Sequence, residues 1–94
     1  MKLRVLLATA LISSLLAACA GNPNSPQARR CDAQLDIAER ELKIAKAKRA
    51  RGHINLTKAT SLIAAARIQQ EFGKYPNCLD KAKRARAYIR RARL

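Results

Sequence analysis

Few side chains in this 94-residue chain can do chemistry. There are three thiols, at Cys19, Cys31 and Cys78, one imidazole at His53, and a dense run of guanidinium groups near the carboxyl end. A thiol can be acylated, oxidised to a disulfide or bound to a metal. His53 has no second histidine and no sequence-adjacent carboxylate, so it reads as a solvent-facing turn residue rather than a metal ligand or acid–base group. No Ser/His/Asp pattern, phosphate-binding loop or metal-ligand spacing is present, which argues against an enzyme. Arg84, Arg86, Arg90, Arg91 and Arg93 are the candidate contacts to an anionic partner, because the planar arginine fork makes bidentate bonds to phosphate and carboxylate. The plainer alternative for them is a solvated basic face on an alanine-rich helix. With one Phe and no Trp, the chain offers no aromatic platform for stacking bases or sugars.

What positions the first thiol is an export signal. Lys2 and Arg4 open the chain, Val5 to Leu16 is apolar apart from Thr9, Ser13 and Ser14, and small residues follow; this is the pattern of a secretory signal. The apolar stretch, counted generously to Ala20, is 16 residues. That falls short of the roughly 20 needed to span a bilayer. Leu16-Ala17-Ala18-Cys19 resembles the lipobox of bacterial lipoprotein precursors. The resemblance implies cleavage before Cys19, a diacylglyceryl thioether on that residue, and an amide-linked third chain. Two or more acyl chains anchor stably where one holds marginally. The residue after the cysteine is Ala20 rather than Asp, which by resemblance to Gram-negative lipoproteins implies the periplasmic face of the outer membrane. Ala18-Cys19-Ala20 also fits the A-x-A pattern of the ordinary signal peptidase. Cleavage there would discard Cys19 and release a soluble periplasmic protein.

Removing residues 1–18 leaves 76, enough for one small domain whose core needs reinforcement. Setting Cys19 aside as lipidated leaves Cys31 and Cys78, and export to an oxidising compartment makes a disulfide the default. Two free buried thiols or an intermolecular bridge are the competing readings. Lys2 and Arg4 leave with the signal, so 18 basic residues face 6 acidic ones and the mature chain carries +12, against +14 for the whole chain. Such charge points to anionic neighbours: lipid headgroups, lipopolysaccharide phosphates, cell-wall carboxylates or an acidic envelope protein. Nucleic acid is disfavoured by export and by the lack of a recognition motif. No cofactor is expected beyond the covalent lipid on Cys19.

The remaining chain divides into a flexible tether at 19–27 and a basic all-α domain at 28–94, a three-helix up-down-up bundle. Helix one is expected at about 26–51, capped by Ser25-Pro26 and stopped by Gly52. Its apolar stripe is Cys31, Leu35, Ala38, Leu42 and Ala45. Asp36–Arg40 and Glu39–Lys43 are spaced to pair along the helix. Helix two is expected at about 56–72, capped by Asn55. It carries one stripe of Leu56, Ala59, Ile63 and Ala66, and a second of Ala65, Ile68 and Phe72 with Leu62 between. Apolar surface on more than one side predicts the central helix of the bundle. Helix three is expected at about 78–93, with Cys78, Ala82, Ala85, Ile89 and Ala92 as its stripe. In an up-down-up path the first turns of helices one and three meet, which brings Cys31 beside Cys78. Gly73-Lys74-Tyr75, Cys78-Leu79, Ala82 and Ala85 also resemble the turn and second helix of a tetratricopeptide-type hairpin, without the 34-residue repeat that would imply a peptide groove.

Three functions are therefore in view. One is a membrane-anchored periplasmic module whose basic face meets anionic envelope components. Another is an accessory subunit of a larger envelope complex, with Ile37 and Ile44, off the main stripe of helix one, as a docking edge. The last is a soluble periplasmic protein or nucleic-acid binder.

Overall fold

The computed structural model describes residues 21–93; the expected signal segment and Cys19 lie outside the described residues. The described chain is an all-α three-helix bundle: α1 (Pro26–Ala47), α2 (His53–Glu71) and α3 (Tyr75–Ala92). No helix among the described residues is long and apolar enough to cross a membrane.

α1 begins as its sequence dictates. Ser25 is extended, and its hydroxyl accepts from the Ala28 amide at 3.1 Å, while Pro26 occupies the first turn, where its missing N–H costs nothing. The helix ends at Ala47, one turn before the expected Arg51. The Ala50 amide donates to the Ala45 carbonyl and the Arg49 amide to that of Lys46. This is a Schellman closure, with Arg49 at φ 53° in the left-handed position that glycine usually fills. α2 ends in the same closure, there with Gly73 at φ 71°; the Lys74 amide reaches the Gln69 carbonyl and the Gly73 amide that of Gln70.

Gly52 therefore does not stop α1. It is the residue before α2, and a Cβ built on it would lie 2.6 Å from the Cα of Ala92. Its role is to let the start of α2 come against the end of α3. α2 consequently starts at His53, and Asn55 sits inside the first turn instead of capping it. α3 likewise starts at Tyr75, a turn earlier than Cys78, because Lys74 alone bridges Gly73 to the helix and Pro76 is tolerated in the first turn.

The core is the three expected stripes brought together. Leu35, Leu56, Ile63 and Ile89 are buried among eight alanines, with Leu42 partly covered, and Tyr75 completes the cluster. Cys31 and Cys78 form a disulfide across 47 residues, with Cα atoms 5.7 Å apart, and both are fully buried. α1 and α3 thus run side by side in the same direction, with α2 antiparallel to both.

Helix two is not the central helix. α3 packs most extensively against both others, and α1 meets α2 least. The buried positions of α3 between Cys78 and Ala92 are alanines apart from Ile89, and alanine lets two neighbours approach closely. The second stripe of α2 faces outward: Phe72 is 65% and Ile68 52% exposed. The thin α1–α2 contact is held by polar groups instead. Arg67 lies 2.8 Å from Glu39 and 3.6 Å from both Asp32 and Asp36, and Gln70 bridges Arg67 and Asp32. Glu39 therefore pairs across helices rather than with Lys43, and the Arg40 side chain reaches the Asp36 carbonyl oxygen rather than its carboxylate. Burial opposes the Arg67 charge, but the hydrogen bond and charge of Glu39, then Asp36 and Asp32, outweigh it and hold its pKa above the ordinary arginine value.

The segment before α1 is more ordered than a free tether. Asn22 to Ser25 makes a turn closed by the Ser25 amide on the Asn22 carbonyl. A Cβ at Gly21 would come within 2.5 Å of the Gly73 carbonyl oxygen and 3.0 Å of the Tyr75 ring, so the chain enters pressed against the α2–α3 turn.

Candidate functional site

The guanidinium groups of helix three are divided by the fold. Arg86 turns inward between α1 and α3: its Nε donates to Glu41 at 2.8 Å and its Nη1 to Gln34 at 2.8 Å. At 26% side-chain exposure it is a tie between helices, and a partner would have to break that tie to use it. Arg84 lies 3.7 Å from Asp80 one turn earlier. Arg91 stands over the Tyr88 ring at 5.2 Å, which Lys58 of α2 also meets at 5.3 Å. This cation–π pairing orients Arg91 while leaving it exposed. Arg90 and Arg93, in the last turn and cap of α3, are exposed and face no ion-pair partner among the described residues.

What the linear run does not reveal is the company Arg93 keeps. The parallel packing of α1 and α3 brings their carboxyl ends together, and the α1–α2 connection wraps beside them. Lys48, Arg49, Arg51 and Arg93 line one shallow recess floored by Ala45, Ala50 and Ala92. A second recess adjoins it, with Lys46 and Arg49 on one side and His53, Thr57, Thr60 and Ser61 on the other. Arg49 borders both. No carboxylate lines either recess among the described residues. The acids of α1 are elsewhere, with Asp32, Asp36 and Glu39 gathered on Arg67 and Glu41 on Arg86. The electrostatic outcome is a cationic end whose charges are left unneutralised by the interior networks. Convergent charge of one sign around a concave surface concentrates its field there, and hydroxyls beside it can donate to an oxyanion.

His53 is exposed and is the first residue of α2 rather than a turn residue. Ile37 is half-buried and Ile44 is 45% exposed, so neither joins the core. Lys46, Lys48, Arg49 and Arg51 are visible in the sequence only as the basic second half of helix one. The signal that could have promoted them is the breakdown of apolar spacing after Ala45, which marks the chain leaving the helix. Comparison of the chain with protein-family models, curated proteins and solved structures finds no match.

Proposed function

We propose that the mature protein is a lipid-anchored periplasmic module of the outer membrane that binds an anionic envelope component through its cationic end. The observation that carries this is the convergence of Lys48, Arg49, Arg51 and Arg93 on one recess that no carboxylate lines among the described residues. The anchor follows from the lipobox resemblance at Leu16–Cys19, and the disulfide suits an oxidising compartment. The ligand chemistry is phosphate or carboxylate displayed repeatedly, as on lipopolysaccharide or a cell-wall polymer, since spread cations on a rigid end match spread anions. Arg90 and Arg91 flank this end, Arg84 stands further along α3, and Arg86 serves the fold.

The test is titration of the mature lipidated protein, held in zwitterionic nanodiscs, with lipopolysaccharide and with isolated cell-wall polymer at several salt concentrations. Binding should weaken steeply as salt rises, because exposed charges are screened beyond a Debye length of about 8 Å at physiological ionic strength. Combined Arg49→Gln, Arg51→Gln and Arg93→Gln should weaken it and flatten the salt dependence. Equal binding by this variant would reject the cationic end as the contact.

A further inference from the structure

Among the described residues Ile44, Ile54, Ile68 and Phe72 are large, apolar and exposed, and the last two lie together. Ile68 and Phe72, one turn apart, form an outward stripe at the end of α2 and are 52% and 65% exposed. Phe72 immediately precedes Gly73, and Gly73 is where Gly21 is pressed against the bundle. Cys19 lies two residues before Gly21. Two extended residues span at most about 7 Å, so any group attached at Cys19 is held close to this end whatever path the chain takes. Exposed Arg29, Arg30 and Lys74 lie in the segments that meet at the same end, together with Glu71, with Asp32, which is paired with Arg67, and with Asp80, which is paired with Arg84. The cationic recess lies at the other end, about 27 Å away along α2 at 1.5 Å per residue.

We infer that the end bearing Phe72, Ile68 and Lys74 is a bilayer-docking surface, with Phe72 entering the headgroup–acyl boundary and the neighbouring cations meeting anionic headgroups. This rests on the proposal that Cys19 carries the lipid. The occupant is the anchoring bilayer itself, because the length of chain between Cys19 and Gly21 leaves this end nowhere else to face. An exposed apolar side chain at an end that also carries Lys and Arg is the chemistry that seats at such a boundary. The consequence reaches the cationic recess. Held several Debye lengths from its own membrane, it is presented to ligands across the periplasm and not to the lipid in which the protein is anchored.

The absence of tryptophan makes the test clean. Phe72→Trp places one indole at the docking end, and Ile54→Trp, at a site 74% exposed near the opposite end, is the control. The chain beginning at Cys19 is coupled through that thiol to a maleimide phospholipid in phosphatidylethanolamine–phosphatidylglycerol vesicles with brominated acyl chains. The indole of the Phe72→Trp variant should be blue-shifted and quenched several-fold more than that of the Ile54→Trp control. Equal quenching in the two variants, or stronger quenching in the control, would overturn the docking surface. Intact-mass analysis of the mature protein from cells is run separately. A first residue other than lipidated Cys19 defeats the anchoring proposal, while the coupled chain still judges the surface on its own.

Discussion

Arg49 holds a left-handed backbone conformation in a position that glycine usually occupies. A β-carbon there crowds the following carbonyl oxygen, and replacing it by glycine relieves about 1 kcal/mol, partly offset by the greater freedom of glycine in the unfolded chain. Arg49→Gly is therefore expected to raise the melting temperature slightly while weakening anion binding, since the same side chain borders both recesses. Thermal melts beside the salt titration check this; a variant that loses binding and also melts lower would remove the idea that strain is kept at this position for its charge. Gly52 behaves oppositely. Gly52→Ala drives a methyl group to 2.6 Å from the Ala92 backbone. Such overpacking costs typically about 1–3 kcal/mol. Differential scanning calorimetry of the variant should show the loss, and an unchanged transition would mean that α2 and α3 can part locally without penalty. Cys31→Ser, or reduction of the disulfide, should remove about 4 kcal/mol by the chain-entropy model for a separation of 47 residues. Melting curves with and without reductant measure it directly.

Among the elements, α1 and α2 depend on a polar interface that replaces the apolar contact they largely lack. Arg67→Met keeps the stem but leaves Asp32, Asp36 and Glu39 facing one another without their shared cation. The groups are substantially exposed, so the loss expected from each pair is small, and about 1 kcal/mol for the whole network is the appropriate scale. Urea denaturation should show this loss shrinking at high salt. A salt-independent loss would point to packing of the Arg67 stem instead. The pH sign follows from the raised Arg67 pKa: its contribution is complete below the ordinary arginine range and fades only as pH rises through the folded value. Between neutral and mildly alkaline pH, Arg67 should therefore add no slope to stability. The apolar stripes of all three helices were legible because a period near 3.6 residues is a local property. The identity of the central helix was not, because breadth of apolar surface on α2 does not say which neighbour covers it. Small alanine side chains on α3 admit two close neighbours, and the broader α2 turns Ile68 and Phe72 outward.

On the scale of the whole molecule, the two ends carry different surfaces, although Ile54 is exposed near the cationic one and Arg29, Arg30 and Lys74 stand at the other. One end gathers Gly21, Phe72 and the disulfide-bearing first turns of α1 and α3; the other gathers the basic α1–α2 connection and the tail of α3. An anchor at the first end makes the second a distal probe. This polarity predicts that lengthening the segment before Gly21 with a flexible insert should leave lipopolysaccharide binding in trans unchanged while reducing the quenching of an indole introduced by Phe72→Trp. Loss of both together would instead indicate that the ligand bridges the domain and its own bilayer.

The amino-acid sequence determined the helical class, the buried stripes, the Ser25 cap and the candidate cysteine pair, since each is written in residue type and short-range spacing. It could not determine which arginines are left open. Arg86 and Arg93 look alike in a basic run, yet one is tied to Glu41, 45 residues earlier in the chain, and the other joins Arg49 and Arg51 around a recess. Those fates depend on how closely alanine lets the helices approach, and on where Arg49 and Gly52 turn the chain. Such matters are settled only when distant segments compete for the same space.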